Sequence, residues 1–283
     1  MWRRLEPADF RETHRQAGSD GAHTWSVCGE GYEIVGDEVV ATLEYSDLSD
    51  DWLYYFPFDD APDLFLRFGK LYEQADFERA ALAFANEYGL PGDREQAVKG
   101  EREINPAPTK TKLSEFRDEA RRAWAVLAFY EAVLNGDAQA VKDLFLELRT
   151  DRAFVLWDKI FRFERIEGYD DVLLQVGLIC AVQTVEEVVH EMCRNRIWFS
   201  MESGKGPDLS TVHTAWDFDS LIGAMHLQMW WLMASAGDIT RCEFCGRIVS
   251  LARSRPEGRK HRSDKRFCDD ACRQAHHRSK KKG

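Results

Sequence analysis

The chain has 283 residues, 44% of them hydrophobic and 12% aromatic, with a net charge of −11. That is enough for one large domain or two ordinary ones with a real core. No stretch approaches 18 uninterrupted apolar residues, so no transmembrane helix is expected; the charged start "MWRRLEPADFRETHRQ" lacks the apolar region of a signal peptide, and a reducing, cytoplasmic setting follows as the default.

Residues 24–58 read as β. In "YEIVGDEVVATLEY" a Gly36-Asp37 turn is followed by alternating Val39, Ala41, Leu43 and Tyr45, and "DDWLYYFPF" adds an aromatic run ending at Pro57. Asp60 or Asp63 is the expected cap of a helix with Pro62 in its first turn, whose inner face is Leu64, Phe65, Phe68, Leu71 and Tyr72. Asp76 opens a second helix that Gly89 closes as a left-handed stop. Residues 91–112 carry little apolar content and three prolines, the marks of a linker or exposed excursion. From Ser114 the 3.6-residue period of Phe116, Ala120, Ala123, Trp124, Leu127 and Tyr130 or Glu131 predicts a strong helix, broken by "NGD" at 135–137. Helices are also expected over 138–149 (Val141, Leu144, Phe145 and Leu148 inside), 152–165 and 169–194. "RIWFSMES" suits a short strand or a helix end, and "SGKGPDLS" a loop. Asp217 or Asp219 is the expected cap of the last long helix, with Leu221, Ile222, Met225, Met229, Leu232 and Met233 on one face and Gly237 at its end. The fold class is therefore mainly α with a small N-terminal β segment (α+β). The expected units are a β-hairpin and helices over 1–90, a linker over 91–112, a helical domain over 113–237 packed with 1–90 as one body, and a distinct unit over 238–283.

That last unit carries the chemistry. Cys242 and Cys245 form C-x2-C, and after 22 residues Cys268 and Cys272 form C-x3-C. In a long chain without secretion signals, clustered pairs of this kind favour metal over disulfides. Four thiolates in a tetrahedron suit zinc. The first pair sits in a turn relaxed by Gly246, "RIVS" reads as a hairpin strand, and Cys268 and Cys272, four apart, face one way at the start of a helix favoured by Asp269 and Asp270. Knuckle, hairpin and ligand-bearing helix make a treble-clef-like or ribbon-like finger. The alternatives are unligated cysteines in a poorly ordered tail, a redox pair, or replacement of one ligand by His261 or by His276, one turn beyond Cys272. With few apolar residues of its own, the finger is expected to need its metal to fold.

Charge is divided between the units. From Arg241 to Gly283 there are 14 Lys and Arg against 5 Asp and Glu, a net of +9, which leaves −20 on the remaining 240 residues of a chain at −11. The loop between the pairs carries Arg253, Arg255, Arg259, Lys260, Arg262, Lys265 and Arg266; the helix carries Arg273, His277, Lys280 and Lys281 on one face, with Arg278 beside it. Such a stripe suits a phosphate backbone, with affinity from counterion release. Arg273 or Gln274 would read bases if the helix entered a major groove. A basic patch of this kind also suits an acidic partner protein, or the chain's own acidic body. The expected arrangement is a stiff cationic probe held out from that body.

The stretch "CEFCG…KRFCDDACRQAHHR" resembles the C-terminal fingers of many bacterial, especially actinobacterial, proteins, and in plan it is similar to the CGNR-type zinc-finger proteins. "CRQA" (Cys272 to Ala275) stands where that family has its tetrapeptide, and the x3 spacing of the second pair is tighter. "LAFANEYGLPG" and "AWAVLAFYEAVLNGD" are similar to the helical part of such proteins. The resemblance implies a zinc-dependent, DNA-binding transcription regulator with an α-rich N-terminal body, and carries the metal ligands onto Cys242, Cys245, Cys268 and Cys272. The body would then bind a small-molecule effector or a second copy of itself. The other class in play is a zinc-stapled interaction protein, for example of a defence or toxin-type system, without a nucleic-acid role.

No enzyme is expected. Glu187-x-x-His190 is half of a di-iron carboxylate motif without its second copy, the same stretch has Arg194 where a zincin needs histidine, and "CGEGYEIVG" lacks the third glycine of a dinucleotide loop. Metal-dependent chemistry in the helical body is the minor alternative. Met225, Met229, Met233 and the Trp230-Trp231 pair, at helical spacing, read as packing before they read as a ligand pocket.

Overall fold

The computed structural model describes residues 25–43, 52–55, 57–61, 63–92, 108–148, 153–156, 159–162, 170–198, 201–202, 206–207, 213–234, 239–245, 248–250, 266–267 and 270–280. Tyr45 and Gly237 lie outside them.

The chain opens with short antiparallel strands. β1 (Trp25–Cys28) pairs with β4 (Trp52–Tyr55), and β2 (Tyr32–Val35) turns through Gly36-Asp37 into β3 (Glu38–Ala41). Val39 is the fully buried residue of that hairpin, as its alternation predicts. The turn α1 (Pro57–Asp60) leads to α2 (Leu64–Gly69), which tightens into a 3-10 turn over Lys70–Glu73. Neither expected aspartate caps α2 through its side chain: Asp60 ends α1, and the Asp63 carboxylate takes Arg67 Nε at 3.1 Å. α3 (Phe77–Tyr88) starts as expected, with Asp76 accepting the Arg79 amide at 3.1 Å. Gly89 ends it at φ +84, where a Cβ would stand 2.6 Å from the Ser26 carbonyl oxygen, so the stop depends on glycine.

Of the stretch expected as a linker, residues 93–107 lie outside the described residues. Its ends are tied down: Pro91 accepts the Ile222 amide at 3.1 Å, and β5 (Lys110–Lys112) adds to β3. α4 (Leu113–Asn135) is the central strut. It buries the predicted Phe116, Ala120, Ala123, Leu127 and Tyr130, and also Val126, Phe129 and Ala132, because helices lie on two sides of it. Phe116 stands where α2, α3 and α4 meet, with ring centroids 5.7 Å from Phe68, 6.0 Å from Phe84 and 6.2 Å from Phe77. These tilted and edge-on pairings favour the ring quadrupoles. Gly136 closes α4 in the left-handed region, and Asp137 caps α5 (Ala138–Leu148) at the Ala140 amide, 2.9 Å.

The expected helix over 152–165 is instead a hairpin. β6 (Ala153–Leu156) pairs with β7 (Lys159–Arg162), Val155 facing Ile160 and Phe154 facing Phe161. Short apolar runs do not distinguish the two periods, and β-branched and aromatic residues in facing pairs decide for the sheet. α6 (Asp170–Met192) follows, long and apolar enough to cross a membrane by length and composition. Its Leu173, Val176, Ala181, Val185, Val188 and Met192 are buried, and it packs on α4, α5 and the last body helix. Glu187 and His190 are exposed on it.

β8 (Cys193–Trp198) continues from α6, the two-residue strands β9 (Met201–Glu202) and β10 (Gly206–Pro207) pair beyond it, and β11 (His213–Phe218) returns antiparallel to β8. α7 (Leu221–Ala234) ends the body. Its cap is Ser220, not Asp217 or Asp219: Asp217 lies in β11, the Asp219 carboxylate reaches Arg194 at 3.5 Å, and Ser220 Oγ accepts the Gly223 amide at 3.0 Å. The expected single apolar face proves to be a helix buried all round from Leu221 to Met229. Its two polar residues make internal hydrogen bonds. Gln228 Nε2 donates to the Pro57 and Ala61 carbonyls, both at 2.9 Å, and its Oε1 accepts the Phe65 amide at 3.2 Å. His226 Nδ1 bonds the Ile222 carbonyl at 2.9 Å, its ring edge-on to Phe65. Met225 and Met229 are core residues here. The molecule is mainly helical with a small β segment at the N-terminus. After the body come the hairpin β12 (Ile239–Arg241) and β13 (Ile248–Ser250), then α8 (Asp270–Lys280).

Candidate metal centre

The hairpin pairs Ile239 with Ser250, Thr240 with Val249 and Arg241 with Ile248, so the knuckle Cys242–Cys245 forms its loop. Cys242 is buried, and Glu243, Phe244 and Cys245 are exposed. Across from the knuckle runs the segment entering α8. The Glu243 amide donates to the Arg266 carbonyl at 2.9 Å, and the Arg266 guanidinium returns a two-point ion pair to the Glu243 carboxylate. That hydrogen-bonded pair raises the Arg266 pKa further above its ordinary value. Phe267 packs on His276 with ring centroids 5.1 Å apart, giving the start of α8 a small aromatic contact.

These contacts bring Cys272, in the first turn of α8, to the knuckle. The sulfurs of Cys242, Cys245 and Cys272 lie within 4.8 Å of one another. Tetrahedral zinc, with bonds of about 2.3 Å to sulfur, sets neighbouring sulfurs roughly 3.8 Å apart. The three thiols therefore fit such an ion with little movement. Cys268, the expected fourth ligand, lies outside the described residues, as does His261. Among the described residues the cluster consists of these three cysteines, while the His276 ring lies against Phe267.

Of the expected nucleic-acid contacts, Arg253, Arg255, Arg259, Lys260, Arg262, Lys265 and Lys281 lie outside the described residues. Arg266, Arg273, Gln274, His277 and Arg278 are exposed, and Lys280 is the last residue of α8. Two of the cations already have acidic neighbours, Arg266 with Glu243 and Arg273 with Asp270 at 3.0 Å.

The finger's hairpin does not stand away from the body, contrary to the expected probe. Ile248 and Val249 are 4% and 1% exposed, and the Ile248 amide donates to Glu131 Oε1 on α4 at 2.9 Å. Sequence reasoning assigned no role to Glu131, Glu243 or Phe267. Glu131 was visible only as a position on the inner period of α4; its partner lies 117 residues away.

The body offers one dense polar cluster of its own. Arg67 Nη1 donates to Tyr88 Oη at 2.5 Å, Tyr88 donates to Glu87 at 2.5 Å, and Tyr55 Oη donates to the Tyr88 carbonyl at 2.8 Å. Burial pushes the Tyr55 and Tyr88 phenols above their ordinary range, so they stay protonated and serve as ties between β4, α2 and α3.

No protein-family model, curated protein or solved structure matches the chain.

Proposed function

We propose that the chain is a zinc-finger nucleic-acid-binding protein, a DNA-binding transcription regulator whose acidic helical body binds an effector or a second copy of itself. The observation that carries this reading is the cluster of Cys242, Cys245 and Cys272 at the root of a basic helix. Three soft thiolates select zinc over harder ions, and Cys268, four residues before Cys272 in the sequence, would complete a closed structural site of treble-clef plan. Zinc would supply no reaction there; it fixes the start of α8. The helix then presents Gln274, His277 and Arg278, and the loop before it adds seven further cations from Arg253 to Arg266. The opposite charge of the body steers phosphate toward that end.

A second reading has an observation of its own. Arg266 and Arg273 are paired with Glu243 and Asp270, which lowers the cationic field of the finger and suits a mixed-charge protein partner. A salt titration of binding to generic duplex DNA separates the two. With about five phosphate contacts, log K falls against log salt with a slope of roughly −4 to −5. The double variant Arg273→Ala/Arg278→Ala reduces that slope by roughly 2 while keeping the metal. Absence of DNA binding by the metal-loaded chain at low salt leaves the protein-partner reading.

A further inference from the structure

The link between finger and body reaches the metal site through one register pair. β13 lies on the body with Ile248 packed into the main core, where it lines a small, partly open pocket with Leu66, Leu127 and Glu131. The Ile248 amide is held by Glu131, and Arg241, the residue facing Ile248 across the hairpin, immediately precedes Cys242. A pair of three-residue strands has no stability of its own in water. Two things close this one: the thiol cluster at its loop end and the Glu131 contact along β13. Each is a condition for the other, because a hairpin out of register moves Cys242 from its neighbours and withdraws Ile248 from the body. Couplings of this kind are reciprocal.

We propose that Glu131 is a positioning residue of the metal centre, acting through the Ile248 amide, and that the metal in turn latches the finger's hairpin onto the body. With metal bound, Ile248 stays seated against α4 and the root of α8 is fixed relative to the body. With metal removed, the hairpin lifts and opens the slot between α2 and α4 to solvent. A carboxylate suits this role because it accepts a backbone N–H with a full charge, which makes the bond stronger than a neutral one. This inference rests on the reading of the three cysteines as a metal site.

The test uses the full chain under reducing conditions, loaded with zinc. Metal transfer to a chromogenic chelator is timed, and amide exchange is followed at Ile248 and across residues 239–250. In the unmodified chain, stripping zinc raises exchange at Ile248 at least tenfold. Glu131→Ala still binds one zinc but releases it roughly tenfold faster, the factor expected for losing one hydrogen bond to a charged acceptor. Glu131→Gln, whose neutral amide oxygen accepts the same N–H more weakly, falls between the two, releasing zinc roughly threefold faster than the unmodified chain. A merely structural glutamate would leave the release rate unmoved. Equal release rates for the alanine variant and the unmodified chain overturn the proposal while leaving the metal site in place. If the alanine variant does not fold, protection of Ile248 that survives metal removal in the unmodified chain overturns it just as well. An unmodified chain that holds no zinc overturns this proposal and the metal reading together.

Discussion

The body and the finger are held by opposite means. The body buries whole rings: Phe68, Phe84 and Phe116 lock three helices, and α7 is enclosed from Leu221 to Met229. The finger's described residues bury Cys242, Ile248 and Val249 and little else, and Ile248 belongs to the body's core. An apolar core of many rings is stable by burial alone, at about 25 cal/mol for each Å² removed from water. A short hairpin and one polar helix cannot gather such an area; docking on the body replaces part of it, and metal ligation replaces the rest on the function proposed above. The opposite charges of the two regions follow the same division. The acidic region holds itself together, and the basic region leans on a neighbour and, on the function proposed above, on an ion.

The sharpest way to break this comparison is to remove the metal. Cys242→Ser should abolish zinc binding and with it an apparent free energy of about 10–16 kcal/mol that folds the finger. Exchange should become fast over residues 239–250 and 270–280, while the urea midpoint of the body moves little. A body that unfolds together with the finger would make the two regions one cooperative unit. Next in size is Phe116→Ala, which removes the ring at the meeting point of α2, α3 and α4 and should cost about 3–5 kcal/mol in urea unfolding. Its zinc content should stay at the unmodified level in native buffer, where the body remains folded and still offers Glu131 to the Ile248 amide. Gln228→Leu keeps the volume of the α7 side chain but removes the Phe65 amide's side-chain acceptor and one of the two donors at each of the Pro57 and Ala61 carbonyls, for an expected loss of about 2–3 kcal/mol by the same measurement. The smallest effect is set by one backbone angle. Gly136 has φ +66 with open space around it, so Gly136→Ala meets no clash and should cost only about 1 kcal/mol. A larger loss there would show that the α4–α5 junction carries more than its turn.

Much of the fold is legible in the chain because its signals are local. Asp76 and Gly89 bracket α3, Gly136 ends α4, and the Gly36-Asp37 turn joins β2 to β3, each from residues within a few positions of the feature. The misses are failures of locality. The hairpin of β6 and β7 hides in an apolar run that also fits a helix. The cap of α7 passes to Ser220 because β11 and Arg194 engage the two aspartates first. In the finger, the meeting of the C-x2-C pair with Cys272 is readable from the sequence, since cysteines in two closely spaced pairs are a pattern able to gather around one ion. The seat of the hairpin on α4 is not, because no spacing rule connects Glu131 to Ile248.

The amino-acid order alone determines which residues are able to ligate, where α3 starts and where α3 and α4 stop, and that the charge is split between the two ends. Those properties depend on side-chain chemistry and on neighbours three or four positions away. Only the tertiary structure decides that α7 is enclosed on every side from Leu221 to Met229, that Gln228 closes α1 and α2, and that the finger leans on α4 rather than projecting from it. The physical reason is that burial and hydrogen-bond partnership are properties of the assembled surface. A carboxylate at position 131 can find an amide at position 248 only once the chain between them has packed.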